Sequence, residues 1–305
     1  MNRKLRRQFE GVMKYVLLAC AGISVLSVLF ITLFIFISGV PLFIPHNGGP
    51  AATGLGKFLF GSDWYPTDTP PLYGILPFIV SSIMVTAGAL ILAVPIGLAG
   101  GIFIAEISKG RAQNVLRGVT EILAGIPSVV YGFFGVMMIG FFLRTFHDPL
   151  VNYNAFSAMV ILAIMILPNI INMTEVSLRA VPLDYAEGCY ALGGTHWQTI
   201  VKVLIPTARG GIFTGIILGM GRAIGETMAV LMVAGNQPTL PAEGLKSRVR
   251  TLTMAIVNDM GYAAGDHRIA LFSTAIVLFV FILALNIFAQ TIMYHAKKRL
   301  ERSSG

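Results

Sequence analysis

Charge is what this sequence has least of. Of 305 residues, 14 are Asp or Glu and 22 are Lys or Arg, so the charged share is 12%, about half of the roughly 25% usual in a soluble domain. So few ions cannot clothe a chain this long in water, and a soluble globule is excluded. Cysteine is nearly absent: Cys20 lies in an apolar run and Cys189 in a polar segment, which leaves no disulfide framework. His46, His147, His196, His267 and His295 are far apart, without metal-ligand spacing. No Gly-x4-Gly-Lys-Ser/Thr loop occurs, so the chain carries no phosphate cradle for hydrolysing ATP by itself. No Ser-His-Asp elbow or other nucleophile signature appears, and a membrane enzyme is the weakest of the readings.

What is present is apolar. Hydrophobic residues make up 55%, above the roughly 45–50% of ordinary domains, and they fall in stretches of about 20 residues that can each cross a bilayer as a helix. An all-α polytopic membrane protein with about six spans follows. The net charge of +8 is not a nucleic-acid footprint, because most basic residues sit in short segments between spans, the pattern of topology signals.

Residues 1–15 are a basic segment expected in the cytoplasm, and the membrane domain occupies 16–295. The first span, Val16–Ile37, is too long for a signal-peptide core and has no cleavage site after it. A Gly- and Pro-rich loop over 38–72, with Lys57 as its one basic residue, is expected outside, with Trp64 as an interfacial anchor. The second run, 73–105, contains Pro95, so a kinked or broken span is expected, with a close packing face at Gly97 and Gly101. The third span, 120–142, meets Gly125-Ile126-Pro127-Ser128 near its start. Pro127 should loosen the helix there, as a packing kink or as part of a gate. A turn is expected at Asp148-Pro149. The fourth span, 156–178, ends in Asn169, Asn172 and Glu175, and Glu175 is either solvated near the interface or part of a path. A long external loop, 235–268, carries Lys246, Arg248, Arg250 and Arg268, expected either to be solvated or to attract an anion or an acidic partner surface. A sixth span follows over 269–294, and 296–305 is a basic cytoplasmic tail.

The fifth run, 212–234, is unlike the others because Arg222 and Glu226 lie inside it. Each charge costs at least about 2.5–3.5 kcal/mol at the middle of a membrane helix. Four residues apart in one helix, they share a face and can pair. Gly211, Gly215 and Gly219, and again Gly221 and Gly225, repeat at the spacing that lets helices approach closely. Two functions fit the charges: a fixed packing pair, or a site where Arg222 accepts an anion while Glu226 orients it.

Between the fourth and fifth spans, 179–209 is polar and internally ordered. Pro182 opens a short helix, Gly193-Gly194 stops it, and Thr195 with Gln198 has capping-box spacing for a second. The run Glu187-Gly188-Cys189-Tyr190-Ala191-Leu192-Gly193, then nine residues, then Val203-Leu204-Ile205-Pro206, resembles the EAA loop of ABC-importer permeases. Glu187, Gly193 and Pro206 match, while Gly188 and Cys189 replace two alanines. Gly221–Ala229, residues 121–135 and Tyr73–Pro77 are similar to phosphate-importer permeases, and the Trp64-Tyr65-Pro66 run favours the PstC-type subunit.

That resemblance implies an ABC type I importer permease fold in the bacterial inner membrane, with both termini cytoplasmic. It implies a second, PstA-type permease, two ATP-binding subunits and an extracytoplasmic phosphate-binding protein as partners, with ATP held by the partners and no cofactor in this chain. It places Arg222 and Glu226, with Glu175 as a further candidate, on the phosphate path. Glu187, Ala191, Leu192, Gly193 and Pro206 would couple to the ATPase. Import of another oxyanion, such as molybdate or sulfate, and a signalling or scaffold role remain open at this point.

Overall fold

The computed structural model describes residues 3–44, 54–139 and 153–303, with side chains over 12–44, 54–137 and 153–291. The Asp148-Pro149 turn and the end of the third span lie outside these residues. The described helices are α1 (Arg3–Gly39), α2 (Leu55–Phe60), α3 (Leu76–Ile102), α4 (Gly110–Gly125), α5 (Ser128–Phe134), α6 (Ala155–Arg179), α7 (Leu183–Ala191), α8 (His196–Thr199), α9 (Ile205–Gly225), α10 (Met228–Val233), α11 (Leu252–Met260) and α12 (Gly265–Ser303). Five stretches are long and apolar enough to cross a membrane, and a bent pair makes a sixth. A two-stranded antiparallel ribbon, Trp64–Tyr65 paired with Leu72–Tyr73, interrupts the first loop.

Helix α6 is the axis of the bundle, because small residues on its neighbours let it come close. A Cβ at Gly88, Gly97 or Gly101 of α3 would fall within 3 Å of Met159, Ile170 or Thr174. On α9, Gly211 faces Ser177, Gly215 faces Met173 and Gly219 faces Ile170. Both expected packing stripes therefore exist. Gly221 and Gly225 do not continue the second one, since a Cβ at either would meet nothing within 4 Å. At the flank, α1 leans on α12 through Phe34 against Phe272 and Phe36 against Phe279.

Three spans depart from the simple rod. In the second, Pro95 is accommodated inside α3, and the interruption comes later, at a π turn over Phe103–Ile107. There Ser108 N donates to Phe103 O at 2.8 Å and Gln113 Nε2 to Ile104 O at 2.7 Å, so the backbone groups left over find partners. The third span does more than loosen: α4 and the segment from Ser128 meet at 96°. Pro127 takes φ −59° and ψ 141° at the start of α5, and the Tyr131 hydroxyl reaches back across the corner to Leu123 O at 2.7 Å.

The fifth span is longer at one end and broken at the other. His196–Gly225 forms the apolar stretch, and α8 runs through a π turn over Ile200–Leu204 into α9, with Pro206 in its first turn. The second short helix is thus not a separate element. At the far end Glu226, with φ −70° and ψ 131°, leaves the helix, and Thr227 precedes the short α10. Helix α10 packs on α5: a Cβ at Gly132 would lie 2.8 Å from Met232 Sδ and 3.0 Å from Ala229 Cα. The second halves of two broken spans therefore lie side by side.

The close α3–α6 contact is testable. Gly101→Ala places a methyl 2.9 Å from a backbone oxygen, Ile171 O, and 2.5 Å from Thr174 Cβ, so it should destabilise the chain by about 1–3 kcal/mol through overpacking. Gly221→Ala should leave thermal unfolding within about 0.5 kcal/mol of the parent.

Candidate functional site

The break after Gly225 separates the two charges that a continuous helix would stack. Glu226 does not reach back to Arg222. Its Oε1 accepts from Ala229 N at 3.1 Å, tying down the start of α10. Its carbonyl accepts from Thr253 Oγ1 of α11 at 3.1 Å. The expected Arg222–Glu226 pair is therefore absent, because the chain leaves the helix at the residue that would complete it. Arg222 is half-buried, and its protein contact is Nη1 donating to Asn169 Oδ1 of α6 at 3.5 Å, the long limit of a hydrogen bond. Among the described residues no carboxylate lies within ion-pair distance of it. A guanidinium carries five donors, and most of those on Arg222 remain uncommitted.

Glu175 is neither solvated nor free. It is buried at 2% exposure, and its Oε1 accepts from Arg117 Nε at 3.1 Å and Arg179 Nε at 2.9 Å. Arg117 Nη2 closes on the same oxygen. This ties α4 to the end of α6. A carboxylate held by two guanidiniums is not free to meet an anion itself, and Glu175 serves as their anchor.

At the opposite end of the bundle, an unexpected cluster forms around Asp259. The carboxylate accepts from Trp64 Nε1 at 3.1 Å, Asn258 Nδ2 at 2.8 Å and Tyr262 OH at 2.6 Å. Arg250 Nη1 lies 3.4 and 3.3 Å from its two oxygens, and His267 Nε2 is 3.6 Å away. Trp64 is thus a buried strut rather than an interfacial anchor, and Arg250 is a buried ion rather than a solvated loop charge. Part of the expected external loop is helix α11, capped by Thr251. It is pinned to α3 by Leu252 N donating to Ser82 Oγ at 3.0 Å. Lys246 and Arg248 stay exposed and line a cavity of about 270 Å³ with Glu243. Burial pushes the Asp259 carboxyl up, but hydrogen bonds from Tyr262 and Asn258, the Arg250 charge and the Trp64 indole hold it below the usual carboxylate range.

The 183–204 segment presents a hard apolar edge. Gly193 turns the chain at φ +80°, a conformation that favours glycine. The capping box of Thr195 and Gln198 is formed. Leu192, at 91% exposure, projects from the turn, with Leu183, Tyr185 and Trp197 also exposed. Glu187 and Ala191 are exposed on α7, and Pro206 is exposed in the first turn of α9. His196 binds this segment to the end of the second span, with Nδ1 2.9 Å from Tyr190 OH and Nε2 3.2 Å from Glu106 O.

Residues 97–302 match the family described as binding-protein-dependent transport system inner membrane component. The chain belongs to this family. It is an ABC-importer permease, a subunit type that is itself non-catalytic. A relative called a probable ABC transporter permease protein, YqgH of Bacillus subtilis, is 37% identical over 94% of this chain and 93% of its own. The phosphate transport system permease protein PstC of Mesorhizobium japonicum is 31% identical over 82% of each chain. Among solved structures, a bacterial ABC transporter involved in alginate import superposes with a TM-score of 0.64 at 13% identity, covering 95% of this chain and 99% of that one. The MetNI methionine transporter gives 0.58 at 19% identity, over 72% and 95%. At such identities these two show the fold alone.

In this permease the structure adds Asn169, Arg117, Thr253 and the Asp259 cluster to the residues legible beforehand. Asp259 was findable in principle, as a lone acid in an otherwise apolar run that opens with a threonine cap.

Because its folded pKa is depressed, Asp259 contributes stability that is full above the unfolded value, near 3.9. That contribution is lost as pH falls through the folded value. Asp259→Asn should remove this part of the acid dependence and cost about 3–5 kcal/mol at neutral pH, since Arg250 is left buried without a counter-ion. Thermal unfolding of the purified protein as a function of pH checks both.

Proposed function

We propose that this chain is the PstC-type subunit of an ATP-driven importer of inorganic phosphate. The observation that carries the reading is Arg222: a half-buried guanidinium inside a membrane span, with one long contact to a neutral amide and, among the described residues, no carboxylate partner. An intramembrane ion without compensation is expensive, and an oxyanion that docks on its free donors supplies the missing charge. Guanidinium forks suit phosphate geometry. The similarity to PstC proteins points to the same ligand.

In this reading ATP is bound by two partner subunits that receive the exposed edge around Leu192. A PstA-type permease completes the path, and an extracytoplasmic phosphate-binding protein delivers the ion to the end that holds the Asp259 cluster. The Leu192 end and both termini lie in the cytoplasm. ATP-driven movement of the 183–204 segment passes into α9 without a joint, because α8, the π turn and α9 are one continuous rod, and α9 carries Arg222. The strut from His196 to Glu106 O carries the same movement to the second span. Glu226 holds the broken end of that rod, and the break leaves Arg222 open. A phosphate bound there must also leave, and a single uncommitted cation favours transit over capture.

Uptake in vesicles bearing the assembled complex tests this. Arg222→Gln should lower phosphate transport about 10–100-fold, the worth of one to two charge-assisted contacts, while assembly and nucleotide binding persist. Near-normal transport would reject the path and favour a signalling subunit. Competition of labelled phosphate by sulfate or molybdate at equal concentration would instead indicate a different oxyanion.

A further inference from the structure

One face of helix α6 is only partly covered. Its contacts with α9 use Ile166, Ile170, Met173 and Ser177, those with α3 use Ile170, Ile171 and Thr174, and that with α4 uses Glu175. Residues 169, 172, 176 and 179 follow at three- and four-residue steps, so they share a different face. Asn169 holds Arg222 at one end of it, and Asn172 lies half-buried one turn on. Val176 is 60% exposed, and Arg179 stands at the other end. The separation from Asn169 to Arg179 is ten residues, roughly 15 Å of helix rise.

At that second end two guanidiniums share one carboxylate. Arg117 and Arg179 both close on Oε1 of Glu175, two cations on one carboxylate, with the Glu121 charge also acting on Arg117. Their side chains are 43% and 40% exposed while Glu175 is 3% exposed, so the carboxylate is the buried root and the cations are the open surface. Arg179 commits Nε alone, and among the described residues its two terminal nitrogens have no protein partner.

We infer that Arg117 and Arg179, rooted on Glu175, form a second oxyanion station on the path, one α6 face away from Arg222. This rests on the reading of Arg222 as the first station. The buried carboxylate fixes both guanidiniums and trims their field, so an anion arriving from Arg222 is held loosely at the end of the bundle that carries the ATPase-facing segment. Two weak sites in series pass an ion on more readily than one strong site. The ligand class is a tetrahedral or planar oxyanion, with inorganic phosphate as the probe.

The test uses the assembled transporter in proteoliposomes. Inorganic phosphate is added on the ATPase side, and inhibition of uptake from the binding-protein side is measured. The wild-type complex should be inhibited. Arg179→Gln should raise the inhibition constant about tenfold, the loss of one charge-assisted contact, a shift several times larger than any change in the external KM. Arg179→Lys should restore most of it. Arg117→Gln, on a separate helix, is the second variant if the first assembles poorly, and it should shift the same constant. No inhibition in wild type, or an unchanged constant in both Gln variants, overturns the station. If Arg222→Gln abolishes uptake in those same membranes, only the station fails. If Arg222→Gln transports normally, the parent reading fails with it.

Discussion

A guanidinium inside a membrane span, deprived of its neighbouring carboxylate by a break in its own helix, is the constraint to which the rest of this structure answers. Had α9 continued one more turn, Arg222 and Glu226 would stack and neutralise one another. The chain instead turns out of the helix at Glu226, spends that carboxylate on Ala229 N, and fastens the turn to α11 through Thr253. Arg222 is left facing a neutral amide on α6. The result is a local cost held in place by packing.

Holding that arrangement requires rigidity on both sides. The glycine contacts of α3 and α9 on α6 fix the helix that carries Asn169. The 96° corner before α5 and the break before α10 place two half-spans together, and Tyr131 and Thr253 supply partners to the irregular backbone there. At the far end the Asp259 cluster ties the first loop to α11, and α11 in turn steadies the break. The chain from Trp64 to Glu226 thus runs through one buried carboxylate and one threonine hydroxyl.

The architecture was largely legible from composition and periodicity. Apolar length located the spans, and four-residue glycine spacing located two of the packing faces, because both signals are local. The capping box at Thr195 and the turn at Gly193 were legible for the same reason. The sequence could not show which regular-looking segments would break. Pro95 looked more disruptive than Glu226, yet α3 absorbs the proline and α9 ends before the glutamate. A tertiary partner, Thr253, and a local one, Ala229 N, both favour departure from the helix at 226. Burial of Glu175, Arg250 and Trp64 was likewise invisible, since each depends on a partner 9 to 195 residues away. The Gly221 and Gly225 repeat carries the right spacing without a neighbour among the described residues to use it.

What Arg222 touches is read directly by a double-mutant cycle. Unfolding free energies of the wild type, Arg222→Gln, Glu226→Gln and the double variant give the coupling between the two charges. Near-additivity is expected, with a coupling within about 0.5 kcal/mol. A coupling of about 2 kcal/mol or more would mean that the two side chains form an ion pair across the break.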